Sequence, residues 1–185
     1  MRIAVSVILI ASILGCTASR VVTPREYLDE QTAATITVVK DPWIFTRTLS
    51  ESSATDEQDF LHLYAIDVNR MGDHRQYLAV LQSVPPTQHT AISDMPNLEL
   101  TSGGETIALE ATTASPRELG IAQPVAESYT MTAAWFYFPV DKQVLARIVN
   151  TRDLDAAMVI DSERIPYVLW RDGRDELSEL TAVLP

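Results

Sequence analysis

The sequence predicts a mainly β protein: an antiparallel β-sandwich with a few short peripheral helices, with an α+β domain as the alternative. Most apolar segments of the 185-residue chain are short and rich in β-branched and aromatic residues, as strands are. Several of these segments lie in pairs around short turns, which is typical of β-hairpins. Strands and helices do not alternate as βαβ units would, so a Rossmann-like parallel sheet is not expected.

The first elements after the N-terminal segment are a helix, an interrupted strand and a loop. Residues 23–26 read "TPRE", in which a Thr cap, Pro at the first helical position and Glu three residues after the cap predict a short helix to residue 30. Residues 34–48 are β-branched and aromatic and are interrupted by Pro42, which predicts a strand with a break. The polar, acidic residues 50–59 predict a mobile loop.

The middle of the chain predicts two hairpins and a single helical turn. Residues 60–70 pair with 74–84, and residues 97–101 pair with 105–111. In the second hairpin, Leu98 and Leu100 are in phase with Ile107 and Leu109. The segment "SPRELG" at 115–120 repeats the capping pattern and ends at a glycine.

The last third of the chain predicts a strand at 129–140, two helices and one more hairpin. Asp141 caps the first helix, whose apolar stripe comprises Val144, Leu145, Ile148 and Val149. Residues 154–161 and 164–172 form the hairpin, around Ser162 and Glu163. The final helix carries Leu177, Leu180 and Leu184 on one face.

Four consecutive aromatic residues, "WFYF" at 135–138, place large apolar groups on both faces of the predicted strand. One face of an antiparallel sheet usually meets water. We favour the interpretation that the helix at 141–150 covers the second face and buries both Trp135 and Phe136. In the alternative, one face is an aromatic surface for a partner. The candidate binding residues are therefore Trp135 and Phe136, together with Trp43.

The N-terminus has the pattern of an export signal. Arg2 precedes an apolar run, residues 3–14, which ends in Gly15 and Cys16, the only cysteine of the chain. The run is shorter than the roughly 20 apolar residues that span a bilayer core. A positive start, a short apolar stretch and small residues at its end predict a signal peptide.

The end of that signal, Ile13-Leu14-Gly15-Cys16, resembles the lipobox of bacterial lipoproteins. The resemblance implies that Cys16 receives a diacylglyceryl group on its sulfur, that the peptide is cut before it, and that the lipid bilayer is a partner. In a Gram-negative cell, Thr17 after the cysteine implies the outer membrane, facing the periplasm. The chain then divides into a signal peptide (1–15), the lipidated cysteine with a short tether (16–22) and one β-rich domain (23–185). An ordinary secretory signal with a chance cysteine is the alternative.

Composition and motifs point away from nucleic acid and from catalysis. The chain has 14 Lys and Arg against 25 Asp and Glu, a formal net charge of −11, whereas nucleic-acid binding needs a basic surface. No HExxH or EF-hand pattern occurs, and no GxSxG or SxxK motif supplies a serine nucleophile. We therefore expect no metal, no cofactor and no catalytic residues.

These observations predict an exported, lipid-anchored envelope protein with a non-enzymatic binding or structural role, whose partner is another envelope protein. A small-molecule or glycan binding module, using Trp43 or Trp135 in a pocket, is the alternative. A cell-wall hydrolase is less favoured, and a deep pocket with a perturbed carboxylate would support it.

Overall fold

The structure is a computed structural model that describes residues 23–48, 58–84, 95–127 and 133–185. The described elements, in chain order, are β1 (Arg25–Asp29), β2 (Ala34–Val38), β3 (Trp43–Thr48), β4 (Gln58–Arg70), β5 (Asp73–Ser83), β6 (Asn97–Ser102), β7 (Glu105–Glu110), β8 (Ala133–Val140), α1 (Lys142–Val149), β9 (Asp155–Ile160), β10 (Glu163–Arg171) and α2 (Arg174–Val183). Every strand pair is antiparallel. The predicted mainly β class with a few short helices is confirmed.

The 13-residue strand β4 is the centre of the sheet. One of its edges pairs with β5, which in turn pairs with β8. The other edge is shared, because β3 pairs with its first half and β2 with its second half. From β3 the sheet continues through β10, β9, β6 and β7, while β1 pairs with β2 alone. The strand is long enough to pair with two strands along one edge, and the β2–β3 connection separates these two stretches of pairing.

The sheet curls until its two ends meet. The Thr112 N–H, just after β7, donates to the Tyr137 carbonyl of β8 at 2.8 Å. The concave face, which we call the inner face, encloses one core, whose fully buried side chains include Leu63, Leu78, Leu98, Phe138 and Tyr167. The convex side is the outer face. The packed layers of the predicted sandwich are therefore parts of one continuous sheet.

The predicted helix at 23–30 is wrong, since Arg25–Asp29 forms β1. This strand pairs with β2 from Arg25 opposite Val38 to Asp29 opposite Ala34. A helix cap is worth about 1 kcal/mol, which a ladder of sheet hydrogen bonds and a buried anchor outweigh. That anchor is the Asp29 carboxylate, which is fully buried and accepts four backbone N–H bonds, from residues 31, 32, 122 and 123.

The interrupted strand and the hairpins are confirmed. Pro42 lies between β2 and β3, in the break between the two ladders that these strands form with β4. The β4–β5 hairpin forms as predicted. In the β6–β7 hairpin, Leu98 lies opposite Leu109 and Leu100 lies opposite Ile107. The β9–β10 hairpin also forms, but it turns through Asp161 and Ser162, one residue earlier than predicted, because Glu163 already pairs with Ile160.

Both helices predicted in the last third of the chain are present. The Asp141 side chain accepts the Val144 N–H at 2.7 Å and caps α1, and Leu145 and Ile148 of its predicted stripe are buried. In α2, Leu177 and Leu180 are buried, and Leu184 is buried just beyond the helix. The two helices pack against each other.

The short capping motif at 115–120 forms a single turn, as predicted. The Ser115 N–H and hydroxyl both donate to the Glu118 carboxylate, and the Leu119 N–H donates to the Ser115 carbonyl at 3.1 Å. Gly120 ends the turn with φ 94°. The loop predicted at 50–59 lies outside the described residues, except for Gln58 and Asp59, which begin β4.

Candidate functional site

Two of the three predicted binding residues lie in the core. Trp43 is 4% exposed, and its indole Nε1 donates to Asp172 Oδ1 at 2.7 Å. Phe136 is 8% exposed and lies opposite Val80 on the inner face. Because their apolar surfaces are covered and the one indole N–H already has an acceptor, neither side chain offers a free surface to a partner.

The third predicted residue, Trp135, is half-buried on the outer face of β8. Its ring stacks on Tyr137 with centroids 6.2 Å apart and lies 5.7 Å from the Tyr64 ring of β4. The helix expected to cover this face does not do so, because α1 packs against α2 with Leu145 and Ile148 turned into the core. The expectation that both aromatic residues are buried is therefore confirmed for Phe136 only.

The most exposed aromatic surface lies further along the outer face, on strands β4 and β10. We call it the outer patch, and it comprises Phe60, His62, Val168 and Trp170. Trp170 is 65% exposed and Val168 61% exposed. The Trp170 ring meets Phe60 edge to face with centroids 5.8 Å apart, and Phe60 meets His62 in the same way at 6.3 Å. The three rings therefore form one continuous surface, and Val168 lies beside it, two residues before Trp170 on β10.

A β-bulge lies at Trp170. Val168 pairs with Thr46 and Leu169 with Phe45, but the next pair joins Arg171 to Ile44. Trp170 is therefore the extra residue of β10, and its side chain turns outward onto Phe60. Bulges often redirect a side chain at functional positions. Here the indole keeps the outward phase of Val168, and the bulge leaves Trp170 without a directly opposed residue on β3.

The outer patch is uncharged at neutral pH. Burial lowers the pKa of His62, which keeps its imidazole neutral. The nearest charged side chain along β10 is that of Arg171, which forms an ion pair, since its Nη2 lies 3.0 Å from Asp41 Oδ1. An apolar, aromatic surface is unusual on a chain with a formal net charge of −11. Exposed patches of this kind mark interaction sites more often than scattered apolar residues do.

Sequence reasoning missed Trp170 because β10 is apolar on both faces. Tyr167 and Leu169 alternate with Val168 and Trp170, so hydrophobicity alone does not say which pair faces the core. Charge does not decide it either, because Arg164 shares the phase of Val168 and Trp170 while Glu163 and Arg171 share the phase of Tyr167 and Leu169. The core-facing phase is set by the distant strands that pack against β10.

A buried polar cluster joins four adjacent strands at one end of the inner face. Tyr167 donates its hydroxyl to Asp59 Oδ2 at 2.7 Å, and Arg47 Nε donates to the same oxygen at 3.1 Å. Gln82 Nε2 donates to the Tyr167 hydroxyl at 3.1 Å. Burial raises the pKa of Asp59 despite the hydrogen bond from Tyr167 and the charge of Arg47, and burial likewise raises the pKa of Tyr167.

This perturbed carboxylate does not have the geometry of a hydrolase. Asp59 is fully buried and Tyr167 is 1% exposed, so neither meets a substrate from solvent. A second acidic group, Asp67, is similarly occupied, since His74 Nδ1 and Gln76 Nε2 each lie 2.7 Å from its oxygens. Within the four described ranges, no three His, Cys, Asp or Glu side chains gather as a metal site would require.

Comparisons of the chain with protein-family models, with curated proteins and with solved structures gave no match. The predicted lipidation site, Cys16, lies outside the described residues. Among the residues that are described, neither helix is long and apolar enough to cross a membrane.

Proposed function

We propose that this protein is an exported lipoprotein, held in the cell envelope by acylated Cys16, that binds another envelope protein through the outer patch. The role is non-enzymatic, and in a Gram-negative cell the protein faces the periplasm from the outer membrane. The observation that carries the proposal is the exposed Trp170, 65% exposed and packed edge to face on Phe60.

The chemistry of the patch indicates its partner. Trp is among the residues that most often dominate binding energy in protein interfaces, where a rigid aromatic ring fills a pocket on the other side. The patch offers Trp170 and Val168 as exposed apolar groups and no charged side chain. We therefore expect the partner to present an uncharged, apolar pocket surrounded by polar groups, as interface cores do.

The anchor supports a partner in or near the same membrane. Residues 17–22 would reach about 20 Å when fully extended, which keeps the domain close to the bilayer. Two or more acyl chains hold a protein stably, whereas one chain holds it only reversibly. A binding surface on a domain with so short a tether meets envelope proteins before any others.

Photocrosslinking in the native membrane tests the patch. A benzophenone amino acid at Val168 should give one major crosslinked species, and Trp170→Ser should remove it. The matched control is Met71, fully exposed at the β4–β5 turn, where the same probe should give no comparable species. Trp170→Ser should cost less than about 1.5 kcal/mol of stability, because only one exposed ring contact is lost. Crosslinking that survives Trp170→Ser in the folded protein would refute the patch.

Labelling cells with a palmitate analogue tests the anchor separately. The wild type should be tagged and Cys16→Ser should not. Tagging that survives this substitution would overturn lipidation at Cys16 and the localisation that depends on it, while leaving the crosslinking result to decide the binding surface.

A further inference from the structure

A cleft of about 550 Å³ lies at one end of the curled sheet, between α1 and the inner face of the β6–β7 hairpin. It is formed because the hairpin extends past the part of the core that α1 covers. Leu145 and Ile148 of α1 face the core, while Ala146 and Arg147 of the same helix line the cleft. The mouth of a closed or nearly closed sheet is a common position for small-molecule sites, which measure about 300–1,000 Å³.

The floor of this cleft is apolar. Leu100 of β6, Ile107 of β7 and Leu154 before β9 line it. Leu100 and Ile107 are direct cross-strand partners, and Leu100 and Leu154 belong to the buried core, with 1% and 4% of their surface exposed. The floor is therefore a rigid part of the fold, in which the half-buried Ile107 presents most of the apolar surface that a ligand could cover.

The rim of the cleft carries two arginines whose guanidinium groups have weak ion-pair partners or none among the described residues. Arg147 Nη2 lies 3.7 Å from Glu105 Oε2, and the two side chains are 57% and 85% exposed. An exposed ion pair of this length contributes little. The Arg152 guanidinium has no hydrogen-bond or ion-pair partner among the residues that the structure describes. The backbone of Arg152 is nevertheless held, because its carbonyl accepts a 2.8 Å hydrogen bond from Arg174.

We propose that this cleft binds a small amphipathic carboxylate, with its apolar body over Leu100, Ile107 and Leu154 and its carboxylate facing Arg147 and Arg152. Guanidinium groups bind carboxylates through paired, charge-assisted hydrogen bonds. Two such groups beside an apolar floor contrast with a chain that carries 25 acidic and 14 basic residues. Glu105 competes with the ligand carboxylate for Arg147, so removing the charge of Glu105 should strengthen binding.

The test uses the mature acylated protein, residues 16–185, in zwitterionic lipid nanodiscs, with its arginines isotopically labelled, and 4-phenylbutyrate as the probe. Titration should shift the guanidinium resonances of Arg147 and Arg152 saturably, with empty nanodiscs as the blank for partitioning. The neutral isostere 4-phenylbutyramide should bind at least about tenfold more weakly, because it cannot form the charge-assisted bonds.

Three substitutions should respectively weaken, strengthen and leave unchanged the binding of 4-phenylbutyrate. Arg152→Gln should weaken 4-phenylbutyrate binding about tenfold, and Glu105→Gln should strengthen it, because Arg147 is then released to the ligand. Arg164→Gln is the matched control, since Arg164 already pairs with Glu99 at 2.8 Å away from the cleft, and it should change nothing. Unchanged melting temperatures check that the exposed substitutions leave the fold intact.

The proposal is overturned if the probe gives no saturable shift up to its solubility limit, or if the amide binds as well as the carboxylate. Binding that is indifferent to both Arg152→Gln and Glu105→Gln would place the probe elsewhere and overturn it equally. None of these outcomes tests the outer patch, because crosslinking at Val168 probes the outer face of β10 and not the cleft.

Discussion

Substitution of Phe136 and Trp135 by alanine separates the two faces of β8, because the neighbouring residues point to opposite sides of one strand. Phe136 is 8% exposed and faces Val80, which is fully buried, so truncation leaves a cavity in the inner core. Phe→Ala changes at such sites cost about 3–5 kcal/mol. Domains of this size have about 5–15 kcal/mol of stability in all, so the variant should be severely weakened.

Trp135→Ala should cost less. The half-buried indole loses its contacts with Tyr137 and Tyr64, and an aromatic pair contributes about 0.5–1.5 kcal/mol beyond its buried area. Water can enter the space that it leaves on the outer face, so the cavity penalty is small. We expect a cost of about 1–3 kcal/mol, below that of Phe136→Ala.

Urea denaturation followed by far-UV circular dichroism measures both variants, since fluorescence would change with the loss of a tryptophan. Val168→Ala is the control: the side chain is 61% exposed, and the change should stay within about 0.5 kcal/mol. Equal costs for Phe136→Ala and Trp135→Ala, with unchanged m-values, would refute the assignment of the two faces.

Three further results are expected. Gly173→Ala should destabilise the protein by about 1–3 kcal/mol in urea melts, because the added Cβ would lie 2.7 Å from the Trp43 backbone nitrogen. The control Gly104→Ala, in open space with φ 87°, should cost only the roughly 1–2 kcal/mol of a left-handed backbone, and a neutral Gly173→Ala would contradict the close contact. Burial alone would raise the pKa of Asp29, but the four backbone N–H groups that bond to its carboxylate lower that pKa below 3.8 in the folded protein. The charged carboxylate therefore stabilises the fold above pH 3.8, and this stabilisation is lost as the pH falls through the folded-state pKa. Asp29→Asn should therefore cost about 2 kcal/mol at pH 7 and less below pH 3.8, and a pH-independent cost would contradict this. Residues 23–185 should unfold cooperatively at a temperature that EDTA and reductant leave unchanged, and a large drop on chelation would reveal a missed metal.

Local patterns predicted the elements whose partners are close in sequence. The β6–β7 hairpin has the register that its alternating leucines indicate, with Leu98 opposite Leu109. Asp141 caps α1 as its position indicates, because a cap bonds to an amide only three residues away. The helix predicted at 23–30 failed because Asp29 finds its donors at residues 122 and 123, a contact that no local pattern contains.

The sequence by itself determined the mainly β class and its hairpins, since these depend on residues within one short segment, and it predicts a lipid anchor at Cys16. Tertiary structure alone decided which aromatic side chains are free. Trp43 is buried and bonded to Asp172, whereas Trp170 lies on the exposed outer face, at a bulge in the pairing of β10 with β3. It also decided that Arg152 lies beside Leu100, at the mouth of the curled sheet. The physical reason is that an apolar strand can bury either face, and the choice is made by whichever distant strand or helix packs against it.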